Sequence, residues 1–187
     1  MKLSIISAII RESRYSERVA LYYKNYLKTN HQATVTILFL KAYNFPVFEE
    51  HLRFKKNFLP GAIDFTEKII ASEGVLIITP EHNGGYSAGL KNVLDLLHNK
   101  WHRKPIAIST VFNGVFGGSQ VITLLKFVLC KICACTVSAM FPLPSVLKTY
   151  NENGIFAGKD FTDKRANIFI KEFLWFTEAN KRVEGYS

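Results

Sequence analysis

Residues able to do chemistry concentrate in a few short segments. The richest is Pro80-Glu81-His82-Asn83-Gly84-Gly85-Tyr86-Ser87-Ala88-Gly89-Leu90-Lys91-Asn92. Asn83-Gly84-Gly85 can adopt positive φ, which turns backbone N–H groups outward and lets a planar ligand approach closely. Ser87 is a natural helix N-cap. Glu81 and Lys91 carry opposite charge and can pair to hold the loop. A second segment, Arg11-Glu12-Ser13-Arg14-Tyr15-Ser16, sets two guanidiniums among hydroxyls. A third, Phe112-Asn113-Gly114-Val115-Phe116-Gly117-Gly118-Ser119, is a glycine-bearing loop with two aromatic rings. Cys130, Cys133 and Cys135 crowd into six residues. A secreted disulfide framework spaces its cysteines widely and in pairs, so these read as small buried thiols of a reducing compartment, with a redox dithiol as the sharper alternative. No histidine lies near enough in sequence to complete a zinc set of ordinary spacing.

The surrounding elements must position these segments. Residues 3–10 form a short isoleucine-rich run, as a buried strand does. After the polar turn 11–16, Val19, Tyr22, Tyr23, Tyr26 and Leu27 recur at helical spacing. Four more strands are predicted over 35–40, 75–79, 105–111 and 133–141, the last ended by Pro142 and Pro144. Helices are predicted over 63–71, 90–97, 121–131 and 161–179. The stretch 41–60 is aromatic and irregular, with Pro46 and Pro60 as breakers. Its long tract 43–58 suits a lid or a dimer surface. Lys100-Trp101-His102-Arg103-Lys104 reads as a solvated turn. Apolar strands alternating with helices imply a parallel sheet covered on both faces. Right-handed crossovers and this length favour a single α/β domain over 1–187, a flavodoxin-like three-layer sandwich with five strands in order 2-1-3-4-5. Ligands in such sheets bind beyond the carboxyl ends of the strands, which names loops 8–16, 79–88 and 110–119.

The chain has 187 residues and a net charge of +9, from 24 basic and 15 acidic residues. Hydrophobic residues make up 48 %, enough for a sizeable core. The charge is unevenly placed. Residues 96–151 hold no acidic residue, but include Lys100, Arg103, Lys104, Lys126, Lys131 and Lys148. There is no run of five or six like charges and no recognised nucleic-acid motif, so nucleic acid is not expected as a partner. No segment reaches 18 apolar residues, so no membrane span is expected. The apolar start is too short for a signal peptide and runs into Arg11-Glu12-Ser13-Arg14, so a cytoplasmic protein is expected.

Residues 80–92 closely resemble the P-E-Y-N-G-S-x-P-G-x-L-K-N signature of the NADPH-dependent FMN reductase family. Pro80, Glu81, Asn83, Gly84, Gly89, Leu90, Lys91 and Asn92 match; His82, Gly85 and Ala88 depart. The resemblance continues more weakly through the strand–helix order to about residue 179. It implies FMN as cofactor and NADPH or NADH as co-substrate, with hydride passing to flavin N5 and on to a quinone, azo, nitro, metal or flavin acceptor. It implies that Pro80, Glu81, His82, Asn83 and Gly84 flank the isoalloxazine ring, and that Arg11, Ser13, Arg14 and Ser16 cradle the phosphate. Phe112, Asn113 and Gly114 would close over the pyrimidine side, no side chain need act as acid or base, and the chain would be a homodimer or homotetramer. The first loop departs from the family's G-S-x-R pattern, placing Ala8 and Ile9 where Gly and Ser are usual. An alternative therefore stands: a flavodoxin-fold binding or interaction protein with weakened or lost flavin binding.

Overall fold

The computed structural model describes residues 1–10, 15–49, 60–112, 118–144, 150–156 and 159–183. Five parallel strands, β1 (Lys2–Ser7), β2 (Thr34–Phe39), β3 (Gly74–Pro80), β4 (Pro105–Phe112) and β5 (Cys135–Pro144), form one sheet in order β2-β1-β3-β4-β5. The connecting helices are α1 (Tyr15–His31), α2 (Leu40–Tyr43), α3 (Pro60–Ala71), α4 (Ala88–Leu97) and α5 (Ser119–Lys131); α6 (Lys159–Val183) follows β5. A short 3₁₀ turn (His98–Trp101) extends α4. The strand order and layering are those predicted.

The period-two geometry of a strand divides the core into two layers. Leu3, Ile5, Leu76, Ile78, Ala107 and Val111 face α1 and α6. Ile6, Val75, Ile77, Ile106 and Ile108 face α3, α4 and α5. The central strand β3 is buried at every residue, so its run of apolar side chains needs both layers. A buried relay ties α1 across the sheet: Tyr23 Oη donates to Ser109 Oγ at 3.1 Å, and Ser109 Oγ donates to the Phe141 carbonyl at 2.9 Å. Burial pushes the Tyr23 phenol well above its ordinary pKa.

Several boundaries differ from the sequence reading. β1 stops at Ser7, three residues early, although Ala8 N–H still donates to the Ile78 carbonyl at 2.9 Å. β5 runs through Pro142 and Pro144 instead of ending before them. It is an edge strand pairing only with β4, so the side that lacks a proline N–H has no partner to lose. Pro60 opens α3 rather than breaking the chain, since a first-turn residue needs no N–H donor. The 100–104 segment is not merely a solvated turn. Trp101 is fully buried there, and its indole N–H donates to the Leu94 carbonyl at 3.2 Å. The cysteines are not buried thiols: Cys130 and Cys133 are exposed and Cys135 is half-buried. They sit where α5 turns into β5, at the amino edge of the sheet.

Candidate functional site

The described ends of loops 8–16, 79–88 and 110–119 lie at the carboxyl edge of β1, β3 and β4. One serine joins the first two. Ser87 Oγ donates to the Ala8 carbonyl at 2.7 Å and accepts the Leu90 N–H at 3.3 Å, so it caps α4 and anchors that helix to the end of β1. Ala8 is fully buried and is not among the positive-φ residues. The backbone there does not require glycine for its φ; Ile9 still lacks the hydroxyl usual at its position.

The β1–α1 connection carries two buried hydroxyls. Ser7 Oγ closes β1, and Ser16 Oγ lies in the first turn of α1; neither has a hydrogen-bond partner. A buried hydroxyl without a partner is costly, and such groups are few in folded proteins. Ser16 lies in the first turn of α1, where a helix N-terminus favours an anion. Ser16 was predicted and Ser7 was not. β1 also carries Lys2 and Ser4, so its sequence alone does not single Ser7 out. Arg11, Ser13 and Arg14 lie outside the described residues.

The β3–α4 loop has a defined shape. His82 N–H donates to the Gly85 carbonyl at 2.8 Å and Gly85 N–H returns to the His82 carbonyl at 3.0 Å. Between them Asn83 has φ 52° and Gly84 φ 78°, the signature of a tight type I′ turn. Gly85 does not share the positive φ. Pro80 has no N–H and the His82 N–H is spent inside the turn. The amides this turn leaves outside its own pairing are those of Asn83 and Gly84. His82 is half-buried at its base. Further along, the Asn92 side chain accepts from Phe48 N–H at 2.6 Å and donates to the Pro46 carbonyl at 2.7 Å, holding the chain after α2 against α4.

Glu81 does not pair with Lys91. The lysine lies 2.5 Å from Asp95 on the next turn of α4, where helical spacing makes the shorter reach. Glu81 Oε2 is buried without a hydrogen-bond partner. Its neighbour is Gly118, the N-cap of α5, at φ 77°. A Cβ on Gly118 would stand 3.2 Å from Thr110 Cβ and 3.4 Å from Glu81 Cβ, so both backbone angle and space demand glycine. That contact presses the end of the third loop against the second. Sequence reading saw the glycine pair but missed Gly118's part. Phe112 ends β4 with its ring partly exposed; Asn113 and Gly114 lie outside the described residues. A cavity of about 310 Å³, lined by Ile10, Leu40, Lys41, Asn44, Phe45 and Gly89, opens beside the first loop.

The sheet order and its flanking helices define a flavodoxin-like α/β protein. The chain belongs to the NADPH-dependent FMN reductase family, whose family model matches residues 1–147. It is 29 % identical over 129 residues to the NAD(P)H-dependent FMN reductase ntnL of Nectria sp, covering 64 % of this chain and 62 % of that protein. The match thus spans about three-fifths of that relative's length. A quinone reductase of Escherichia coli is 32 % identical over 79 residues, covering 40 % of this chain and 42 % of that one. The fold is shared with FerB, a flavoenzyme NAD(P)H:(acceptor) oxidoreductase from Paracoccus denitrificans, at a TM-score of 0.68 and 20 % identity, over 97 % of each chain. Among the described residues no helix is long and apolar enough to cross a membrane.

Proposed function

We propose that the protein is an FMN-dependent NAD(P)H oxidoreductase acting on a small-molecule electron acceptor. The observation that carries this reading is the pair of buried, partnerless hydroxyls, Ser7 at the end of β1 and Ser16 in the first turn of α1, in a chain of this family. They fit the phosphate of FMN, which accepts several hydrogen bonds and is favoured at a helix N-terminus. Arg11, Ser13 and Arg14 would complete that cradle. The Asn83-Gly84 turn fits the ring, presenting backbone donors that favour negative charge on a bound group. Glu81 Oε2 is an acceptor for an N–H on the same ring, and His82, Pro80, Phe112, Asn113 and Gly114 would border it.

When bound, FMN supplies the redox chemistry, taking up a hydride equivalent from NADPH or NADH and passing electrons to the acceptor. The protein's own contribution is positional. Ser87 holds the first and second loops at one separation, and Gly118 holds the second against the third. No side chain has to store or move a proton in this scheme. A quinone, azo, nitro, metal or flavin acceptor is the expected class, and the 310 Å³ cavity at the same edge is of a size for a small planar molecule. We further expect a homodimer or homotetramer in the cytoplasm.

The test is the visible spectrum of the purified protein. FMN bound at about one per chain near 450 nm, bleached by NADPH, is the expected result. A colourless protein that takes up no flavin from excess FMN would overturn the reading in favour of a binding or interaction module.

A further inference from the structure

The flavin scheme leaves the thiols at the amino edge of the sheet unused. Helix α5 ends there in a Schellman stop. Cys133 N–H donates to the Cys130 carbonyl at 3.0 Å, and Ala134 N–H donates to the Leu129 carbonyl at 3.0 Å. The left-handed position of such a stop is ordinarily glycine. Here it is Cys133, at φ 58°. Arg103 N–H, on the turn before β4, donates to the Cys133 carbonyl at 2.7 Å and fixes the position from the other side. The Cys133-to-Cys130 bond closes a four-residue turn, which brings the two Cα atoms within about 7 Å of each other. A disulfide spans roughly 4.4–6.8 Å between Cα atoms. Both side chains are exposed and both thiols are free. The third thiol differs: Cys135 is half-buried in β5, and burial raises its pKa. Among the described residues the cysteines join no cluster of three groups able to hold a metal.

We propose that Cys130-Lys131-Ile132-Cys133 is a thiol–disulfide exchange site that takes low-molecular-weight disulfides of the oxidised-glutathione type. The first exposed thiolate attacks one sulfur of the small disulfide, forming a mixed disulfide and releasing one small thiolate. The second cysteine then attacks the protein sulfur of that mixed disulfide and releases the other small thiolate. The Cys130–Cys133 bond forms, the small S–S bond breaks, and the two thiol protons leave with the two small thiols. Two electrons pass from the protein to the small disulfide. The turn makes the second step intramolecular, so it competes well against release of the mixed disulfide.

The sequence offers a direct readout. Trypsin cleaves after Lys126, Lys131 and Lys148, which puts Cys130 in peptide 127–131 and Cys133 with Cys135 in peptide 132–148. The full-length protein is equilibrated with excess oxidised glutathione, quenched with acid, digested and weighed. We expect the two peptides joined in most molecules, lighter than their sum by two hydrogens, and separated by a reductant. Fragmentation of the joined species from the unmodified chain should assign the link to Cys133 rather than Cys135. Cys135→Ser should retain the joined species, and Cys133→Ser should lower it at least tenfold. Peptides that stay separate, free or each carrying glutathione, would overturn the proposal. So would a link that fragmentation assigns to Cys135. The wild-type digest decides the matter even where a variant does not fold.

Discussion

At the scale of single residues, the informative side chains are those whose local cost has no local return. Ser16 is fully buried, and its hydroxyl has no partner. In the flavin-free protein Ser16→Ala should therefore leave thermal stability unchanged or slightly raised, because an unsatisfied polar group is removed. The same change should weaken FMN binding about tenfold, the size of one hydrogen bond to a charged group, as read by quenching of flavin fluorescence. An equal loss of stability and affinity would make Ser16 merely structural. Cys133 is the second case. A side chain at positive φ costs about 1 kcal/mol relative to glycine. Cys133→Gly should accordingly stabilise the reduced protein by about that amount in a urea melt, showing that the thiol is not there for stability.

At the scale of elements, the site depends on how α4 is seated. Ser87 both caps that helix and donates to the buried end of β1. Ser87→Ala removes the cap and leaves a buried carbonyl short of a donor, together about 2 kcal/mol. For a chain of this size the thermal midpoint should fall by about 4–8 °C. The opposite edge is tied by Glu73, which pairs with Lys181 of α6 at 2.5 Å and accepts the Lys2 N–H of β1. The lysine first, and the backbone donor second, hold the Glu73 carboxyl below its ordinary pKa of 4.5. Its contribution is therefore present at neutral pH and is lost as pH falls below 4.5 toward the depressed folded value. The group is partly exposed, so the pair is worth only about 0.5–1 kcal/mol. Glu73→Gln should cost that much in urea melts at pH 7, and the difference from wild type should close in acid.

At the scale of the whole molecule, part of the +9 charge lies well away from the ligand edge. Lys100, Arg103, Lys104 and Lys131 sit at the amino edge, where Lys104 donates to the Ser72 carbonyl at 2.6 Å. Apolar surface is more suggestive of assembly. Leu124 and Phe127 lie one turn apart on α5 and are at least half exposed, with the Lys131 ammonium 5.3 Å from the Phe127 ring centroid. Light scattering should give a mass at least twice the 21.3 kDa of one chain; a single-chain mass would dismiss the expected dimer or tetramer.

Sequence alone determined the strand order, because apolar runs alternating with amphipathic helices leave few right-handed parallel arrangements. It also located the three loops, since ligands in such sheets gather beyond the strand ends. The Asn83-Gly84 turn was legible for the same local reason: few residues tolerate positive φ. What sequence did not carry were the pairings between distant segments. Ser87 meeting Ala8 and Gly118 closing on Glu81 each depend on where the chain returns in space. The prolines of β5 are tolerated because that strand lies at an edge, a consequence the predicted order already contained. Ser7 became a binding candidate only once packing had buried its hydroxyl and given it no partner. Local conformational preference is written residue by residue. The satisfaction of a buried polar group depends on its neighbours, and the fold supplies those.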